Sequence, residues 1–85
     1  MYYLYIIRCQ DGTLYTGVTL DVKRRVAEHN SPDLGAKYTR SRRPVRLLYA
    51  KGYASRAEAS QEEYRVKQLT RTQKLVLTKK KYIKK

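Results

Sequence analysis

Acidic residues are scarce in this chain. Seven Asp and Glu stand against twenty Lys and Arg, a net charge of +13 over 85 residues. No acid follows Glu63, whereas nine basic residues do. Cysteine is scarcer still: Cys9 is alone, which excludes an internal disulfide and fits a reducing compartment. Long apolar runs are missing. The longest, Tyr2 to Ile7, falls far short of the roughly 20 residues that cross a bilayer as a helix. It also lacks the basic start and small-residue cleavage site of a secretory leader, so the expected location is the cytoplasm. The lysine-rich end around Lys79-Lys80-Lys81 has few large apolar neighbours, which argues against a membrane partner. There is no His/Cys cluster for zinc and no Gly-rich loop for a nucleotide. What remains is one small domain whose charge calls for a polyanionic, phosphate-bearing partner.

Tyr2 to Arg8 is rich in aromatic and branched residues and apolar on both alternating sets, which predicts a buried strand. Asp11-Gly12 marks a turn, and Leu14 to Thr19 reads as the returning strand of a hairpin. Asp21 can cap a helix running to about Asn30, which Ser31-Pro32-Asp33-Leu34-Gly35 breaks. Lys37 to Pro44 reads as a basic loop, and a third strand follows from about Val45 to Lys51. Ser55-Arg56-Ala57-Glu58 has the form of a capping box opening a helix to about Leu69. Thr70-Arg71-Thr72-Gln73 repeats the signature and predicts a new helix. The expected fold is α/β of the α+β kind: a small three-stranded antiparallel or mixed sheet flanked by three helices, in the order β-β-α-β-α-α. Residues 1–78 would form the single domain and residues 79–85 a frayed basic tail.

Several polar residues sit where apolar ones are expected. In the first helix Val22, Arg25, Val26 and His29 fall at i, i+3, i+4 and i+7, which is one face. The valines must face the sheet, so Arg25 and His29 are drawn to the core or to a cleft beside it. An inward arginine needs an anion, either a structural acid or a substrate phosphate. Glu63 shares a narrow arc with Ala59, Val66 and Thr70, and a carboxylate beside that stripe needs a cation. One carboxylate with waters and a substrate phosphate suffices for Mg²⁺; a boundary salt bridge is the alternative. Tyr5 and Tyr15 lie on the two hairpin strands. An odd loop, such as Gln10 to Gly12, puts them on one face, and a two-residue Asp-Gly turn puts them on opposite faces. A tyrosine serves as a general base only where nearby cations lower its pKa from about 10, which Arg25 and a bound metal would do. Together these residues have the chemistry of phosphodiester cleavage.

Tyr3-Leu4-Tyr5-Ile6, Tyr15-Thr16-Gly17, Arg25 with His29-Asn30, and Glu63-Tyr64 resemble the motifs of the GIY-YIG nuclease superfamily. The stretches from Gly35 to Arg40 and from Glu63 to Thr70 resemble its short bacterial members, the YhbQ-like group. The similarity runs from about Tyr2 to Lys74, with Tyr3 in place of the first motif's glycine. It implies a three-stranded sheet flanked by helices and hydrolysis of DNA with one divalent ion, Mg²⁺ or Mn²⁺. By the same resemblance Tyr5 and Tyr15 match the two motif tyrosines, Arg25 the helix arginine and Glu63 the metal-binding glutamate. His29 matches a position that is histidine in some branches only.

The implied activity is a metal-dependent, structure-selective DNA endonuclease. Tyr5, Tyr15, Arg25, His29 and Glu63 would be catalytic, with Glu63 the metal ligand. Lys37, Tyr38, Arg40, Arg42, Arg43, Lys67 and Lys74 would face the nucleic acid, with Arg46 also gripping its backbone. Tyr38 stacking on an unpaired base would favour branched or single-stranded DNA, with RNA left open. Many similar proteins add a DNA-binding domain or partner subunit, so a protein partner supplying specificity is expected. The rival readings are a nucleic-acid-binding module that cuts nothing and a small structural protein of an RNA-protein assembly.

Overall fold

A computed structural model of the chain describes residues 1–31, 34, 35 and 37–81; the side chains of Lys37, Tyr38, Lys80 and Lys81 lie outside that description. Three strands, β1 (Tyr2–Arg8), β2 (Leu14–Thr19) and β3 (Arg46–Tyr53), form one antiparallel sheet in the order β2-β1-β3. Helices α1 (Val22–His29), α3 (Arg56–Lys67) and α4 (Arg71–Lys81) flank it, and α2 (Lys37–Arg40) is a single turn. The sequence predicts a loop at α2, and the structure corrects that to one helical turn. The third strand is displaced two residues toward the C-terminus at its far end, because it pairs with β1 as far as Tyr2. Lys79 to Lys81 continue α4, while the remainder of the basic tail, residues 82–85, lies outside the described residues.

The doubly apolar β1 is explained by its central place. Leu4 and Ile6 point to one face and pack with Tyr49 and Val66, beside Leu69 and Leu77 of the C-terminal half. Tyr5 and Ile7 point to the other face and pack with Cys9 and Val45, beside Val22 and Val26 of α1. A strand buried on both sides cannot show the polar alternation of a half-exposed one. Leu48 is the extra residue of β3 where the β1–β3 register shifts between Ile6 and Ile7. Among the described residues no helix is long and apolar enough to cross a membrane.

Each helix start follows its local signal. The Asp21 carboxylate accepts from Arg24 N at 3.1 Å, and the Ser55 hydroxyl from Glu58 N at 3.2 Å. At α4 the box is reciprocal: Thr70 N donates to Gln73 Oε1 at 2.9 Å, and Gln73 N to Thr70 Oγ1 at 3.2 Å. Asn30 ties the end of α1 to the start of β3, donating to Val45 O at 3.1 Å and accepting from Val45 N at 2.7 Å.

Candidate active site

The hairpin decides the alternative left open by the sequence. Cys9 N donates to Thr13 O and Gly12 N to Cys9 O, leaving Gln10, Asp11 and Gly12 as a three-residue loop with Gly12 at φ +87°. The loop is odd, so Tyr5 faces Gly17 and Tyr15 faces Ile7 across the ladder, and both tyrosines emerge on the α1 face. Their ring centroids lie 6.5 Å apart. A cleft of about 400 Å³ opens here at the β2 edge, lined by Tyr5, Tyr15 and Gly17 of the sheet, Arg25 of α1, and Arg56, Ser60 and Glu63 of α3. A larger apolar groove of about 650 Å³, between α1 and β3, contains none of the five expected catalytic residues.

His29, fully buried, is the pivot of the site. Its Nε2 lies 2.8 Å from the Tyr5 hydroxyl and its Nδ1 lies 2.9 Å from Thr39 Oγ1. One neutral imidazole satisfies both contacts, donating with one nitrogen and accepting with the other. Burial holds the His29 pKa below its ordinary value, with the positive charge of Arg25 acting in the same direction and Glu28 against it. Tyr15 stands edge-on to the imidazole at 5.2 Å. Gly17 makes room for this arrangement: a Cβ there would sit 2.6 Å from the Tyr5 hydroxyl oxygen.

Arg25 by itself does not bring the Tyr5 pKa below its ordinary value. Burial pushes it up to about 12, outweighing the nearby Arg25, which pulls it down. Arg25 is partly buried at the cleft. Its Nη1 donates to Glu28 Oε1 at 2.8 Å and to the Leu34 carbonyl at 3.3 Å. The structural acid and the cleft position therefore coexist, because both contacts use one end of the guanidinium fork. Glu63, also partly buried, has Lys67 Nζ 3.1 Å from its carboxylate one helical turn on. The cleft thus joins an uncharged tyrosine-histidine-threonine chain to two arginines, Arg25 and Arg56, and one carboxylate, Glu63.

Residues 1–76 match the GIY-YIG catalytic domain. That match covers most of the chain. The chain belongs to the GIY-YIG nuclease superfamily. It is 57% identical over 77 residues to the UPF0213 protein VNG_2274C of Halobacterium salinarum, covering 91% of this chain and 99% of that protein. It is 54% identical over 78 residues to the UPF0213 protein DP2720 of Desulfotalea psychrophila, covering 92% and 71%. Among solved structures it is similar to the UPF0213 protein BH0048 of Bacillus halodurans, with a TM-score of 0.59 and 48% identity over 93% of this chain and 84% of that one.

In this GIY-YIG domain the five expected catalytic residues gather from β1, β2, α1 and α3. Four line the cleft, and His29 stands behind them through Tyr5. The residues expected to face nucleic acid are spread more widely. Arg40 and Arg43 border a hollow with Asn30, Ser41 and Pro44, and Lys74 borders another with Arg71, Thr13 and Leu14. Arg42 is held by Asp11 at 3.0 Å and Lys67 by Glu63. Lys37 and Tyr38 lie in α2, with their side chains outside the described residues. Three residues of the site escaped the sequence reading. Arg56 and Ser60 precede Glu63 by seven and three positions, a helical face that was legible in principle. Thr39 carried no local signal, since its role depends on a contact ten residues back along the chain.

Proposed function

We propose that this GIY-YIG domain is a divalent-metal-dependent DNA endonuclease that selects nucleic-acid structure rather than sequence. The observation that carries the reading is the convergence, on one cleft, of Arg25, Glu63 and the Tyr5–His29–Thr39 chain. Nucleic acid as substrate follows from the superfamily and from the charge of +13.

Glu63 is the one carboxylate lining the cleft, and among the described residues no three His, Cys, Asp or Glu come together. That donor set fits Mg²⁺ or Mn²⁺, which take oxygen ligands and, for Mg²⁺ especially, retain much of their water. It does not fit zinc. Glu63 would hold the ion, which when bound supplies positive charge to a phosphate oxygen and to the departing oxygen.

The rest belongs to the protein's own side chains. Burial holds the Tyr5 hydroxyl pKa up to about 12, which favours a base that passes its proton on as it takes one up. In the tautomer that serves the step, Nδ1–H of His29 donates to Thr39 Oγ1 and Nε2 accepts from the Tyr5 hydroxyl. As the attacking water gives its proton to the Tyr5 oxygen, the Tyr5 proton passes to Nε2. The phenol therefore ends the step neutral and the imidazole charged. Tyr15, edge-on to the imidazole, acts as positioner. Arg25 neutralises the charge that develops on the phosphate; its Nη1 is shared by Glu28 and Leu34, and the guanidinium also interacts with the Tyr5 hydroxyl.

The test is incubation of the protein with labelled single-stranded, duplex, flap and fork DNA in Mg²⁺, Mn²⁺ or EDTA, with Glu63→Ala prepared identically. Metal-dependent cuts that vanish in the variant are expected. Tight binding without cleavage, indifferent to Glu63→Ala, would reassign the chain to the binding-module reading.

A further inference from the structure

Antiparallel pairing places Arg8 of β1 directly opposite Arg46 of β3. Partners in a ladder share a face, so two like charges sit side by side on exposed residues. Such a pair is destabilising, and either position could have held a neutral side chain without that cost. Across the other edge of β1, Arg8 pairs with Leu14, and Leu14 borders a hollow with Arg71 and Lys74 of α4. The four cations therefore run in a row, from the β3 edge across the end of the sheet to the start of α4. Among the described residues no ion pair satisfies Arg8, Arg46 or Lys74. Arg71 donates to the Gly12 carbonyl, which fixes its place without removing its charge. The nearest acid on the hairpin, Asp11, is occupied by Arg42 and by the hydroxyl and amide of Thr13.

This row is separate from the catalytic cleft. Arg8 follows Leu4 and Ile6 in the alternation of β1, so it lies on the α3–α4 face, whereas Tyr5 and Tyr15 lie on the α1 face. It is three residues beyond Tyr5, about 10 Å along the strand. We propose that Arg8, Arg46, Arg71 and Lys74 form a second phosphate-binding surface. It holds the nucleic-acid backbone away from the scissile position, so that the substrate is gripped at two places, the cleft at the β2 edge and the far end of β1. Contacts of this kind set position and salt dependence and carry no base sequence. The inference rests on the chain acting on nucleic acid, not on cleavage.

The experiment is binding of a fluorescent single-stranded oligonucleotide in EDTA over a salt series. It compares the wild type, the double variant Arg8→Ala/Arg46→Ala, and a charge-matched control, Lys23→Ala/Lys51→Ala. Loss of two phosphate contacts should lower the slope of log affinity against log salt by about 1.4, with a fall in affinity of about tenfold or more at low salt; the control should keep the wild-type slope. Melting of the free double variant should stay at or above the wild-type temperature, since a like-charge pair has been removed. An unchanged slope in the double variant overturns the proposal, as does an equal loss in the control. A lower melting temperature would assign the pair to holding the sheet and overturn it too. Binding is scored without metal, so failure here and failure of the nuclease reading are told apart.

Discussion

Thr39→Val is the substitution that tests the core of the proposed mechanism. Valine keeps the shape of threonine but replaces the hydroxyl with a methyl group. Thr39 and His29 are both fully buried, and the hydroxyl lies 2.9 Å from Nδ1. Removing it strands a polar nitrogen in a site that solvent does not reach, at a cost of about 1–3 kcal/mol. For a domain of this size each kcal/mol lowers the melting temperature by roughly 4–8 °C, so a fall of about 4–24 °C is expected. A total stability of about 4–13 kcal/mol leaves the variant folded at 20 °C, where its rate can be measured. The rate should fall by about 10–100-fold, the size of effect seen when a metal-bound histidine loses the partner that orients it. Thr39→Ser, which restores the hydroxyl, should recover most of the activity. The assay is cleavage of the best DNA substrate under saturating metal, paired with ¹⁵N NMR of the His29 ring to read which nitrogen carries the proton. A variant with the stability loss but wild-type rate and tautomer would refute the relay and leave Thr39 as packing alone.

Three further outcomes follow from the same geometry. Gly17→Ala places a Cβ 2.6 Å from the Tyr5 oxygen and 2.7 Å from the ring carbon bearing it, so Tyr5 must move off His29. A loss of about 1–3 kcal/mol in denaturant unfolding and at least about 100-fold in rate is expected, and wild-type turnover would sink the account. The pH–rate profile separates relay from phenolate: a free Tyr5 base would give a rate climbing toward about pH 12, whereas transfer through neutral His29 gives a plateau from about pH 7 to 10. Stability should respond to the same histidine. Its pKa is lowered on folding, so the unfolded chain takes the proton first; the His29 contribution is intact above about pH 6.5 and is lost as pH falls through the lower folded value. Melting temperature should therefore fall between pH 7 and pH 5 and flatten in His29→Gln, a window above that in which the lowered carboxyls of Asp11 and Glu62 titrate. A wild-type protein that melts higher at pH 5 than at pH 7 would contradict the buried neutral imidazole.

Local physics made much of this protein legible in its sequence. The extent of β1 and β2, the caps at Asp21 and Ser55, and the reciprocal Thr70–Gln73 box all depend on neighbours within four residues or on strand alternation, and each stands where the sequence predicts. The inward turn of Arg25 and His29 was visible for the same reason, because the valines on their face had to be buried. Tertiary structure decided the rest. The hairpin register chose one face for Tyr5 and Tyr15, and burial made Tyr5 a weaker acid where a nearby arginine alone would have made it a stronger one. Packing brought Thr39 to His29 and Arg46 to Arg8, contacts spanning ten and thirty-eight residues. Desolvation and long-range pairing belong to the assembled core, and short stretches of sequence carry no record of either.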